Sequence, residues 1–290
     1  MALTLEKPQF VNADAQAITR EMITAYEAAS GKTLWPAQAE RLLIDLFAYR
    51  ETLVCSAIQS AAEQNLVAFA RAPMLDYLAE LVGVYRLPSW SATTPSEGGS
   101  DAEDDAHLRH RIRLAPASFS TAGSREAYRF HAMSAHPGIC DVAVTRPKPG
   151  TVNLYPLLTS GLPDKTILSL VTALCSEERV RPLNDTVQVL APEKVDYAIS
   201  AQLTCYASQP GEPVLKQARQ AAEQYVARQA KQLGRDIVPS QIIAALSVPG
   251  VYRVQLTSFS TLEPTVLAAQ QWAHCSDIQL TLGAESADDR

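Results

Sequence analysis

Residues 36–70 read PAQAERLLIDLFAYRETLVCSAIQSAAEQNLVAFA, with no Gly or Pro after the first position, and this predicts one long helix with Pro in its first turn. At about 1.5 Å per residue the helix would extend roughly 50 Å, longer than a compact domain needs for its own core. On a helical projection Leu42, Leu43, Leu46, Phe47, Leu53, Val54, Ala57, Ile58 and Ala61 share one side, and Asp45, Thr52, Ser56, Gln59 and Glu63 line the other. Leu43 with Val54, and Phe47 with Ile58 and Phe69, repeat at eleven-residue spacing, which implies a nearly straight path rather than a heptad supercoil. Arg50 falls within the apolar face and needs an acceptor there or a route to its edge. Such a stripe is more often the inner face of a bundle the chain makes by itself; the alternative is a surface that bundles with other subunits.

The flanking patterns are helical too. Asn12 or Asp14 caps a helix to about Ala29, ended by Gly31, with Ile18, Met22, Ala25 and Tyr26 on one face. Pro73 opens another, with Met74, Leu75, Leu78, Leu81 and Val82 at helical spacing and Gly83 as its C-cap. Residues 1–87 therefore form an all-helical region. The segment PSWSATTPSEGG at 88–99 is rich in Pro, Ser, Thr and Gly, and residues 88–100 read as a flexible linker.

Beyond it the periodicity mixes. A helix over residues 101–115, the polar loop 118–124 and a helix over 125–135 lead to strands at 139–145 and 151–158. A helix capped by Asp164 and a strand at 185–190 complete a first module, 101–192. A long strand at 195–206, with Tyr197, Ile199, Ala201, Leu203 and Cys205 alternating, opens a second module, 193–290. Helices at 214–233 and 240–246 and strands at 251–259 and 277–282 follow. HPGICDVAV at 136–144 echoes VPGVYRVQL at 248–256, a Pro-Gly turn launching a strand in the same register each time. The expected fold is α+β: an N-terminal all-helical region with one long helix, then two serial α+β modules.

Composition narrows the function. The 290 residues are 47% hydrophobic and 19% charged, with net charge -6, an ordinary globular balance that lacks the basic face nucleic-acid binding requires. Arg109, Arg111 and Arg113 follow Asp101, Glu103, Asp104 and Asp105, an order that reads as helix electrostatics rather than phosphate binding. Five widely spaced cysteines in apolar runs read as reduced thiols. No secretory leader pattern and no run of eighteen apolar residues occurs, so folding in the cytoplasm without membrane insertion is expected.

No zincin, CxxC, nucleophile-elbow, dinucleotide-binding or EF-hand motif is present. His107 and His110 have ligand spacing but no Cys or carboxylate fork, and read as surface imidazoles. His274 and Cys275 are strand neighbours on opposite faces. Neither catalytic, cofactor nor metal residues are nominated, and no enzyme is expected.

Several segments together resemble the baseplate J-like proteins of contractile phage tails and phage-tail-like bacteriocins. They are DLFAYRE at 45–51, AAEQNLVAFA at 61–70, LDYLAELVGVYRL at 75–87, FSTAGSREAYRFHAMSA at 119–135, DVAVTRPKPGTV at 141–152, ERVRPLNDTVQVLAP at 178–192 and LGRDIVPSQIIAALSVPGVYRVQL at 233–256, in the family's order. Larger relatives carry a β-rich insertion where this chain has only residues 88–99. The resemblance implies a structural wedge subunit, assembled in the bacterial cytoplasm and released within a tail particle by lysis. It implies pairing with a second copy and a tail-protein-I-type wedge protein through an N-terminal helical bundle. The C-terminal modules would close a ring around the hub, in contact with hub and sheath-initiator proteins. The interface candidates are then Leu43, Phe47, Arg50, Val54, Ile58 and Phe69, with Tyr252 and Trp272 in the second module, and residues 88–99 are the candidate hinge. A tail-associated envelope hydrolase and a cytoplasmic adaptor are the alternative functions.

Overall fold

A computed structural model describes residues 5–91, 94–96, 103–119, 123–208, 210–259, 261 and 263–283. The chain divides into two compact units, Met1–Tyr85 and Arg86–Arg290.

The first unit is helical, as its patterns predict. Helix α1, Ala15–Ser30, starts at Asp14, whose carboxylate accepts from the Gln16 N–H at 2.9 Å, and stops at Gly31, where φ is +65°. A left-handed C-cap of this kind returns an N–H to Glu27. Helix α2 is Ala39–Glu63, 25 residues rather than the 35 of the 36–70 run, so it extends about 38 Å. Polar side chains bring in the shortening at both ends. Gln38 accepts from the Trp35 N–H before the helix begins, and beyond it Asn65 donates to the Ala61 carbonyl while Gln64 accepts from the Arg71 N–H. Phe69 therefore lies in turns and not on the helix. Helix α3, Pro73–Glu80, follows Ala72, a non-glycine residue at φ +46°. Gly83 at φ +69° then lets the Val84 N–H reach the Ala79 carbonyl, and Val84 is buried.

In the second unit, two short strands, β1 (Ser89–Ser91) and β2 (Thr94–Ser96), pair antiparallel inside the segment expected to be an unstructured linker. Residues 92–93 and 97–100 of that segment, and 120–122 of the polar loop, lie outside the described residues. Helices α4 (Asp105–Ser118) and α5 (Arg125–Met133) are capped by Asp104 and Ser124. Strands β3 (Ile139–Lys148) and β4 (Thr151–Leu158) form an antiparallel pair, and β5 (Thr186–Val189) joins β4 in parallel after crossing over through α6 (Lys165–Cys175). Ile139, Val142, Leu154, Ile167 and Val171 pack against Tyr128 and Met133 of α5.

Strand β6 (Glu193–Cys205) is the centre of the second sheet, with Tyr197, Ile199, Ala201, Leu203 and Cys205 all buried, as the alternation predicts. Helices α7 (Gly211–Gln229) and α8 (Pro239–Leu246) cover it. Strand β7 (Val251–Leu256) lies antiparallel on one side of β6 and β8 (Gln271–Leu282) parallel on the other. Strand β8 starts six residues before the predicted 277. Its first half, QWAHCS, lacks alternation because both Trp272 and Ala273 are buried.

The echoed segments occupy equivalent places. The His136 carbonyl accepts from Ile139 and the Val248 carbonyl from Val251, each turn delivering a helix into an antiparallel edge strand. Their connectivity differs, however. Strand β3 leads directly into its central neighbour β4, whereas β7 leads into β8, on the far side of β6. Leu154 and Leu203 each hold the centre of one sheet with no exposed surface. Either changed to Ala should lower unfolding free energy by about 2–5 kcal/mol in urea denaturation.

Candidate assembly surface

The described part of the chain exposes 22 large hydrophobic side chains, and 15 of them lie in the first unit. The long helix accounts for the largest group. Leu42, Leu43, Leu46, Phe47, Tyr49, Leu53, Val54 and Ile58 are between 43% and 73% exposed. Toward α1 the same helix turns Ile44 and Ala48, which are buried, and Thr52 and Cys55, which are half-buried. At about 100° per residue these two sets lie on opposite sides of α2.

The side expected to be polar and solvated is thus in part the inward one. Gln59 accepts from the Phe10 N–H at 2.8 Å and donates both to the Pro8 carbonyl and to Glu63. Lys7 lies 3.0 Å from Glu63. Hydrogen bonds from Gln59 and Lys7 hold the Glu63 carboxyl below the ordinary carboxylate range. These bonds tie the N-terminal segment to α2 and orient the apolar stripe away from α1. Helix α3 continues the outward apolar character with Tyr77, and Leu81 and Tyr85 follow, each at least 66% exposed.

Among the residues nominated from sequence, Leu43, Phe47, Val54 and Ile58 share this outward side. Arg50 sits among them and is itself exposed, so its guanidinium reaches water and is not a buried charge in search of a partner. Phe69 is half-buried in the turns after α2. Tyr252 is 58% exposed beside Tyr206, with ring centroids 5.5 Å apart. Trp272, the other interface candidate of the second module, has a different setting. It is buried, its indole N–H donates to the Ala230 carbonyl at 2.9 Å, and its surface is spent inside its own module.

A second feature gathers Glu103, His107 and Arg111, spaced at four residues, with the more distant Leu87 and Ile139. Glu103 is buried, and its carboxylate accepts two bonds from Arg111 Nη1, at 2.9 and 2.7 Å, and one from the Leu87 N–H at 2.7 Å. His107 sets Nδ1 against the same carboxylate and Nε2 2.8 Å from the Ile139 carbonyl oxygen. Arg86 donates to the Glu103 carbonyl and to Asp105, both at 2.7 Å. Burial alone would raise the Glu103 pKa. The bond from His107, the Arg111 charge and the Leu87 N–H together outweigh it and hold the pKa below its usual 4.5.

This cluster corrects the reading of His107 and gives Arg111 its partner. His107 is a structural imidazole rather than a surface one, Arg111 is a buried ion-pair partner of Glu103, and Arg113 is the exposed member of the arginine set. Leu87 and Glu103, which flank the candidate hinge at residues 88–99, also share a backbone bond at 3.3 Å. Cysteines are free at all five positions, with Cys175 and Cys205 buried and the other three half-buried. Among the described residues no His, Cys, Asp and Glu group could hold a metal ion, and no helix is long and apolar enough to cross a membrane.

A contiguous exposed apolar face such as that of α2 is a feature of surfaces that meet other proteins. The comparisons agree. Residues 41–92 match the Baseplate J-like N-terminal domain, 120–191 the Baseplate J-like central domain and 197–281 the Baseplate J-like protein C-terminal domain. The chain is 33% identical to baseplate protein J of Escherichia phage P2 over 246 residues, covering 83% of this chain and 80% of that protein. It belongs to the baseplate J-like family and is a baseplate-type structural protein. In the solved baseplate of the anti-feeding prophage, one chain matches 68% of this chain with 18% identity and a TM-score of 0.45; the match spans half of that chain.

Replacing Glu103 by Gln should cost about 3–5 kcal/mol, because it leaves the buried Arg111 charge uncompensated. Since the folded Glu103 pKa is depressed, its stabilisation is present above pH 4.5 and is lost as pH falls through the folded value. Acid titration of stability should therefore be flatter below that pH in Glu103→Gln than in the wild-type chain.

Proposed function

We propose that this chain is a structural wedge subunit in the baseplate of a contractile tail or tail-like injection particle. It pairs with a second copy of itself and a tail-protein-I-type protein through the outward side of α2. The sheet modules of the second unit meet neighbouring wedges, hub and sheath-initiator proteins, and the particle is assembled in the bacterial cytoplasm and leaves by lysis. The reading requires no catalytic activity.

The observation that carries it is the outward stripe of α2. Eight large apolar side chains stand on one side of a 25-residue helix whose other side is already occupied by α1. Partly exposed as they are, covering them would contribute on the order of 10 kcal/mol, which is comparable to the cost of association. Leu43, Phe47, Val54 and Ile58 give such an interface its apolar centre, and Arg50 and Asp45 give it polar neighbours. The family relationship supplies the kind of particle, and the helix supplies the surface.

The test uses the double variant Phe47→Asp, Ile58→Asp. Both side chains are about half-exposed or more in the isolated chain, so the variant should keep its circular dichroism spectrum and melting temperature. In size-exclusion chromatography with light scattering it should fail to self-associate or to join the adjacent wedge protein, where the wild-type chain does so. A wild-type chain that stays monomeric alone and with that partner would sink the proposal. Loss of folding in the variant would return the stripe to the core of the chain itself.

A further inference from the structure

His107, in the first turn of α4, has an oxygen acceptor against each nitrogen of its ring. Nδ1 meets Glu103 Oε1, and Nε2 lies 2.8 Å from the carbonyl oxygen of Ile139, the first residue of β3. A carbonyl can only accept. The Glu103 carboxylate is committed as an acceptor as well, because Arg111 Nη1 donates to Oε1 at 2.9 Å and to Oε2 at 2.7 Å, and the Leu87 N–H donates to Oε2 at 2.7 Å. A proton placed on either oxygen would meet a donor. A neutral imidazole carries one N–H and one lone pair, whereas the imidazolium carries two N–H groups. Only the imidazolium satisfies both contacts.

The surrounding charges accept such a cation. Glu103, Asp104, which accepts from the His107 backbone N–H, and Asp105 are negative, while Arg111 and Arg86, which donates to Asp105 and to the Glu103 carbonyl, are positive. A cationic His107 brings this set to neutrality. Arg109 and Arg113 project from other faces of α4. Across the cleft that His107 lines, Arg129 is shared between Glu126 at 3.6 Å and Asp141 at 2.8 Å, and Lys231 offsets the second of these carboxylates. The nearby imidazoles of His110 and His136 have pKa values lowered chiefly by burial, and burial pushes the Cys140 thiol up to about 11, so at neutral pH these three add no charge.

We propose that His107 is a proton-operated latch between α4 and β3: protonated at both ring nitrogens it ties Glu103 to the Ile139 carbonyl, and on losing the Nε2 proton to solvent it releases that carbonyl. Nε2 is the nitrogen that gives up its proton, because the bond at Nδ1 goes to a charged acceptor and is the stronger of the two. The lone pair left on Nε2 then faces the lone pairs of the Ile139 oxygen, and the contact turns from attractive to repulsive. Solvent has a route to the ring, which borders a cleft of about 570 Å³ and is 9% exposed. The latch lies wholly within the second unit and does not depend on the α2 interface, so each can fail alone.

The test reads the ring nitrogens directly in the full chain labelled with nitrogen-15, by long-range proton–nitrogen correlation spectra recorded from neutral to alkaline pH. The His107 signals are identified by their absence in His107→Gln or, in the wild-type chain, by cross-relaxation with Ile139 protons. At neutral pH His107 should show two protonated nitrogens, whereas His110, His131 and His136, whose pKa values burial lowers, should each show one protonated and one bare nitrogen. As pH rises, His107 should convert to the form protonated at Nδ1 alone. The Cys140 amide, which shares a peptide unit with the Ile139 carbonyl, should shift in step with that conversion, and the Leu203 amide in the other sheet should not. A bare nitrogen on His107 at neutral pH, a neutral ring that keeps its proton on Nε2, or a Cys140 amide that does not follow the ring would overturn the proposal.

Discussion

A helix has one circumference to share among its neighbours, and α2 has divided its own unequally. The side against α1 carries Ile44, Ala48, Thr52 and Cys55, mostly small or polar, while Gln59 and Glu63 hold the N-terminal segment by hydrogen bonds. Close approach to α1 needs small residues there, and the bulk of the hydrophobic surface is consequently turned outward. Helix α1 cannot cover both sides, and α3 adds its own exposed Tyr77 instead of closing over the stripe. The first unit is therefore held together by modest contacts and leaves its largest apolar surface exposed.

The second unit is stabilised on a different principle. Two sheets of three strands carry separate apolar cores, and polar contacts organise what surrounds them. Glu103 ties α4 to Leu87 by one carboxylate, while His107 carries the tie on to the first residue of β3. Asp141 does the same between the two modules, joining β3 to Leu233. Buried ion pairs add little net stability compared with an apolar replacement, yet they fix geometry, since only one arrangement satisfies every donor and acceptor.

The internal echo illustrates how far local pattern reaches. Pro137-Gly138 and Pro249-Gly250 each close a turn into an edge strand with the same hydrogen bond, as their matched apolar registers predict. The strands that follow take different positions, with β4 beside β3 but β8 on the opposite side of β6 from β7. A turn is decided by the few residues in it. The place of the next strand depends on which edge the intervening chain can reach.

The same division holds for the whole molecule. The sequence by itself determined the helical first region, its caps at Asp14 and Gly31, the alternating strand β6 and the large apolar stripe of α2, because each depends on near neighbours and a fixed period. It also carried the family relationship through segments spread along the chain. Only the tertiary structure decided that the stripe faces outward, that Thr52 and Gln59 face inward, and that Trp272 is consumed within its module. It likewise brought His107, Arg111 and Glu103 together as a buried cluster. Periodicity defines the faces of an element, but which face is buried depends on partners distant in the chain, and a buried charge is recognised only when its counter-charge is seen beside it.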